Sequence, residues 1–97
     1  GTDFGTVVAI QYPRDGAWTI GFITKIVDFE EGVKHGIVYM PSTPVPNTGW
    51  MVMIPTDEIR YLDLPADKAM RFIIGGGIGS PGYIDWVGRE KTISESD

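Results

Sequence analysis

The residues with chemistry to offer are few, and their spacing is poor for catalysis. His35 is the single histidine and there is no cysteine. A zinc centre at His35 would therefore need carboxylates alone as its other ligands. The stretch around it, Asp28 to Gly36, is acidic and bounded by glycine, and reads as an exposed loop holding a solvated histidine. Ser42, Thr43, Thr48 and Thr56 carry hydroxyls, but the only bases to activate them are that distant histidine or carboxylates. Beside prolines, such hydroxyls serve turn hydrogen bonds. Asp57, Glu58 and Asp63 form a loose carboxylate group that helix and turn capping explains. Gly77-Ile78-Gly79-Ser80-Pro81-Gly82 has the letters of a dinucleotide-binding loop. That loop must lie between a strand and the N-terminus of a helix, where backbone N–H groups meet the pyrophosphate. Here the glycines follow a helical stretch, so they read as a helix stop and a turn. The expectation is a chain with no catalytic centre, no cofactor and no metal, and hence not an enzyme.

The candidate site is instead a surface. Met40 to Gly49 carries Pro41, Pro44 and Pro46 between two apolar runs. Proline lacks the N–H and fixes φ, which excludes a helix interior or a central strand there and predicts a stiff loop. A stiff loop loses little chain entropy when a partner orders it. The expected contact comprises Pro41, Ser42, Thr43, Pro44, Pro46, Asn47, Thr48, Gly49 and Trp50. Trp50 has two readings, a ring covering the edge of the core or an anchor for a partner, and Trp86 admits the same two.

The elements that must hold this loop read mostly as strands. Thr6 to Gln11 is β-branched and strand-like, followed by a turn at Pro13-Arg14-Asp15-Gly16 with proline at its second position. Ala17 to Val27 is a second strand, with Trp18, Ile20, Phe22, Thr24 and Ile26 on the expected core face. Gly21 in its middle signals a bulge, a bend or a close approach. Ile37 to Met40 is a short strand. Trp50 to Ile54 is apolar at every position and reads as a central strand covered on both faces. Thr56-Asp57-Glu58 forms a tight turn capped by Thr56 or Asp57, and Ile59 to Leu62 is a last extended run. Asp63-Leu64-Pro65 opens one helix, with proline in the first turn and Ala66, Ala69, Met70, Ile73 and Ile74 as its apolar stripe. Gly75-Gly76-Gly77 ends it, one glycine supplying the left-handed residue. Beyond Ser80, the residues Tyr83, Ile84, Trp86 and Val87 suit an arm laid on the body, and Glu90 to Asp97 reads as a solvated tail.

Ninety-seven residues make one domain. The division is a single soluble domain over residues 1–87, with its core over about 6–77, an arm over 78–87 and a flexible tail over 88–97. The formal net charge is -5, with the eight Lys and Arg scattered along the chain. Nucleic-acid binding calls for a concentrated basic face, so that class is excluded. No run of about 18 apolar residues is present to span a bilayer.

The stretches Tyr12-Pro13-Arg14-Asp15-Gly16 with Trp18, Gly21-Phe22-Ile23-Thr24, Tyr39 to Gly49, Ile54-Pro55, Leu62-Asp63-Leu64, Ala69 and Phe72-Ile73-Ile74-Gly75-Gly76 occur here in the order and spacing of a known family. The chain resembles the soluble C-terminal part of the DUF502 family, which includes the plant LIKE COV (continuous vascular ring) proteins. It departs from that pattern at Gly75, where serine is usual, and at Pro65, where a capping serine is common. The resemblance implies two transmembrane helices before residue 1. It also implies a bacterial inner-membrane or plant endomembrane location, the bacterial one favoured here, with this domain on the cytoplasmic side. No catalytic residue is established for the family.

The sequence therefore leads to a small α+β domain, a mostly antiparallel twisted sheet or partial barrel with one covering helix. Its expected function is that of a non-catalytic, membrane-tethered domain that binds a protein partner or its own copies. Two alternatives stay open: a structural or gating domain for an oligomer of the membrane helices, and a small-ligand or enzymatic domain.

Overall fold

The computed structural model describes residues 6–87. The segment 88–97, expected as a tail, lies outside the described residues. Five strands form one antiparallel sheet in the spatial order β4-β3-β2-β1-β5. They are β1 (Thr6–Gln11), β2 (Trp18–Glu30), β3 (Val33–Pro41), β4 (Gly49–Pro55) and β5 (Arg60–Tyr61). One helix, α1 (Ala66–Ile74), lies against the sheet. This is the expected α+β class.

The sheet is curled, and the connection between β4 and β5 shows why. These strands sit at opposite edges, yet only a single 3-10 turn, Thr56–Glu58, and Ile59 join them. Five strands laid flat would hold those edges roughly 19 Å apart. A link with one helical turn in it is too short for that span, so the edges bend toward each other into a partial barrel. Val8, Ile10, Ile23, Val38, Met40 and Ile59 fill its concave side. Gly36 makes room there: a Cβ would lie 2.7 Å from both Ile23 Cδ1 and Ile59 Cδ1. The convex side carries Val7 and Phe22, covered by Ala69 and Ile73 of α1. Phe22, Ile10, Val8 and Val38 are fully buried, each worth about 1.5–3 kcal/mol of transfer energy.

The core face expected for β2 is not continuous. Val38 pairs with Ile23 and Ile37 with Lys25, which leaves Thr24 as an extra residue. This bulge reverses the alternation beyond it. Ile20 and Phe22 face the helix, whereas Ile26 falls on the opposite side, and Trp18 and Ile26 are exposed. Gly21 is buried where β3 crosses closely: a Cβ there would lie 2.6 Å from the Tyr39 carbonyl oxygen.

Three further expectations are corrected. Asp28 to Gly36 is not a loop: β2 and β3 continue through it as a hairpin, with Asp28 paired to Lys34 and the turn made by Gly32 at φ 75°. His35 is accordingly buried and not solvated, its ring edge-on to Phe29 with centroids 5.2 Å apart. Trp50 to Ile54 is not a central strand, because β4 is the sheet edge. Its all-apolar sequence arises because Val52 and Ile54 pack on the concave core while Met51 and Met53 face outward.

The β1–β2 turn differs in detail. Ala17 N–H donates to Arg14 O, so Asp15 and Gly16 take the central positions and Pro13 precedes them after a cis bond. The 3-10 turn has Pro55 at its N-cap and no side-chain cap from Thr56 or Asp57. Pro65 is likewise the N-cap of α1 and not its first helical residue. The helix ends as expected. Gly77 N–H donates to Phe72 O and Gly76 N–H to Ile73 O, with Gly76 at φ 64° in the left-handed region.

Candidate functional site

The proline loop is the β3–β4 connection, and local bonds shape it. Ser42 N–H donates to Thr48 O at 2.7 Å, and Thr48 N–H and Oγ1 both turn onto Val45 O, at 3.2 and 2.8 Å. The Tyr39 hydroxyl donates to Pro46 O, pinning the loop to the convex face of the sheet. The Thr43–Pro44 bond is cis. Pro41 belongs to β3, paired with Gly49 at the start of β4. Ser42 and Pro46 are half-buried, whereas Thr43, Pro44, Asn47, Thr48 and Gly49 are exposed. The loop is therefore a closed hairpin connection and not an open extended segment.

Trp50 stands at the mouth of this loop, 54% exposed, with its ring 6.1 Å from that of Tyr12 in the β1–β2 hairpin. Met51 and Met53 continue the strand at 63% and 45% exposure. The candidate residues thus extend into an apolar edge that the loop reading alone does not include.

The hydrogen-bond alternation fixes what that edge presents. Ser42 and Thr48 are a bonded pair, so Met40–Trp50, Val38–Val52 and Gly36–Ile54 are bonded pairs too. The backbone groups of Gly49, Met51 and Met53 therefore point away from β3. No strand among the described residues pairs with them. The opposite edge is treated differently. Beyond β5 the chain returns, with Val87 N–H donating to Tyr61 O at 2.6 Å and Asp63 N–H to Asp85 O at 2.9 Å. Leu62 and Trp86 form an antiparallel bridge. One edge of the sheet is covered by the chain's own arm, and among the described residues no strand pairs with the other.

A second feature lies on the convex face. Trp18 and Ile20 of β2, Ala9 of β1, and Arg60 with Leu62 at β5 form a row across three strands. Trp86 of the arm closes the row, and Phe72 of α1 overhangs it. They enclose a groove of about 460 Å³. The Arg60 guanidinium carbon lies over two indole rings, 4.9 Å from the centroid of Trp86 and 5.8 Å from that of Trp18. This constellation was beyond sequence reasoning, because its parts come from five elements and meet only through the register. The one available signal was a lone Arg in an otherwise apolar extended run.

The remaining sequence candidates do not converge. Asp57 and Glu58 are exposed in the 3-10 turn. His35 Nδ1 lies 3.3 Å from Val33 O. The glycines from Gly75 to Gly79 form the helix stop and the turn after it. Among the described residues no group of three or more His, Cys, Asp or Glu side chains is placed to hold a metal. No helix among them is long and apolar enough to cross a membrane.

Fold and surface together define a small curled-sheet α+β domain with one apolar edge left unpaired among the described residues. A family model described as a protein of unknown function, DUF502, matches residues 1–48. That stretch takes in β1, β2, β3 and the proline loop to Thr48, and it stops short of β4 and α1. Neither the curated proteins nor the solved structures contain a match to this chain.

Proposed function

We propose that this domain is a non-catalytic interaction module that pairs edge to edge with a second copy of itself through β4. The proline loop and Trp50 flank the joint. The observation that carries this reading is the bare edge. Natural edge strands are blunted by charge, by proline or by a cover. Gly49–Pro55 contains no charged residue, and its only proline is the last position. The outward backbone groups of Gly49, Met51 and Met53 offer an antiparallel partner strand its ladder bonds. A two-fold axis sets the same edge against itself, which satisfies both copies at once.

The resemblance to membrane-anchored proteins supports placing the domain at the cytoplasmic face of a membrane, tethered by segments outside this chain. Tethering raises the effective concentration of neighbouring copies, so a weak edge contact suffices there. Such pairing would also hold an oligomer of the anchors together.

Amide spectra recorded over a concentration series test this. Signals of Met51, Val52 and Met53, and of Ser42, Thr43, Val45, Asn47 and Thr48, should move together as concentration rises. Met51→Lys with Met53→Lys should abolish the movement while leaving the spectrum dispersed. Silence of those signals while another face responds would overturn the assignment.

A further inference from the structure

We propose that the groove between β5, the C-terminal arm and α1 binds an amphipathic anion, a hydrocarbon chain bearing a carboxylate or phosphate head, with Arg60 holding the head. This inference is independent of edge pairing by β4.

The walls are apolar. Ala9, Ile20 and Leu62 form the floor, Phe72 and Ile84 the sides. The volume of about 460 Å³ falls within the roughly 300–1,000 Å³ of small-molecule sites. Ala9 makes the space: it pairs with Ile20 on one side and Arg60 on the other, so the smallest side chain of the row lies under its centre.

Among the described residues, Arg60 is the one charged residue lining the groove. Among the described residues no carboxylate lies within ion-pair distance of it, and the ion pairs present are Lys34–Asp28 and Arg71–Asp67. Its guanidinium lies instead over the faces of Trp18 and Trp86. Ring stacking occupies the faces of a guanidinium and leaves the N–H donors of its edge free for a planar oxyanion. The cation is half-buried, and the ion pairs among the described residues do not include it. A half-buried cation stacked on two indoles beside an apolar trough matches a ligand with an anionic head and a hydrocarbon tail. Such a ligand is either a free fatty acid or a lipid of an anionic bilayer.

The three tryptophans give the test its readout, because Trp18 and Trp86 lie in the groove and Trp50 lies outside it. Laurate, kept below its micelle concentration, is titrated into the labelled protein while the indole N–H signals are followed. Vesicles of phosphatidylglycerol and of phosphatidylcholine are added in parallel. Laurate should shift Trp18 and Trp86 and leave Trp50 in place. Arg60→Gln should weaken laurate at least about tenfold, the loss of a charge-assisted contact, and leave dodecanol, which has no charge, unchanged. Competition by phosphatidylglycerol vesicles but not phosphatidylcholine would identify the ligand as lipid; laurate binding without it would identify the free acid. If Arg60→Gln does not fold, Ile84→Trp fills the groove from the arm and should abolish the response. Silence of Trp18 and Trp86 toward both laurate and phosphatidylglycerol overturns the proposal. So does an undiminished response in either folded variant.

Discussion

Gly21→Ala puts the curled sheet to its most direct test. The added Cβ would lie 2.6 Å from the Tyr39 carbonyl oxygen and 2.8 Å from Val38 Cγ1. The first neighbour is backbone of a paired strand, and the second belongs to a fully buried side chain. Neither can yield without moving β3 against β2. Overpacking of this kind costs about 3 kcal/mol, the upper end of the usual range. A domain of this size loses roughly 4–8 °C of Tm per kcal/mol, so the midpoint should fall by about 12–24 °C. Gly79→Ala is the control: nothing lies within 4 Å of its added Cβ and its φ is not positive. That variant should melt within about 2 °C of the parent, since only unfolded-chain entropy changes. Thermal melts followed by far-UV circular dichroism read both. If Gly21→Ala melts with the control, then β3 does not cross β2 as closely as described.

Two other perturbations address the loop and the helix. Tyr39→Phe removes the hydroxyl donated to Pro46 O. It should cost about 1 kcal/mol and speed amide exchange at Asn47 and Thr48 while β1 amides stay protected; uniform exchange across loop and sheet would refute the pinning. Ile73, 8% exposed, and Ile74, 45% exposed, are chain neighbours about 100° apart around α1. Ile73→Ala should destabilise by about 2–4 kcal/mol in urea unfolding and Ile74→Ala by less than about 1, and equal losses would mean that α1 is rotated on the sheet.

The parts of this fold that could be read from sequence are those set by local rules. Gly76 at the end of α1, the stripe of Ala69 and Ile73, and the extended run after Ile59 follow from periodicity and backbone preference. What escaped reading depends on neighbours distant in the chain. Alternation along β2 is a local rule, but the bulge at Thr24 that breaks it is set by pairing with β3. The charges of Asp28, Glu30, Glu31 and Lys34 look like a solvated loop, although cross-strand pairing such as Lys34 to Asp28 suits an exposed hairpin equally well. An apolar run cannot by itself distinguish a strand covered on both faces from an edge strand left bare on one, which is the case of Trp50 to Ile54. The candidate loop was legible because proline acts on its own backbone. Its continuation along Met51 and Met53 was not, and neither was the meeting of Trp18, Arg60 and Trp86, which exists only after β1 is seated between β2 and β5.

The strip from Asp85 to Val87 has two duties that cannot be separated. Through Val87 N–H and Asp85 O it seals the outer flank of β5, and through Trp86 it walls the trough that holds Arg60. Any event that peels the strip away unmakes the trough and uncovers a second raw flank in the same stroke, so that a half-barrel with one unpaired flank becomes one with two.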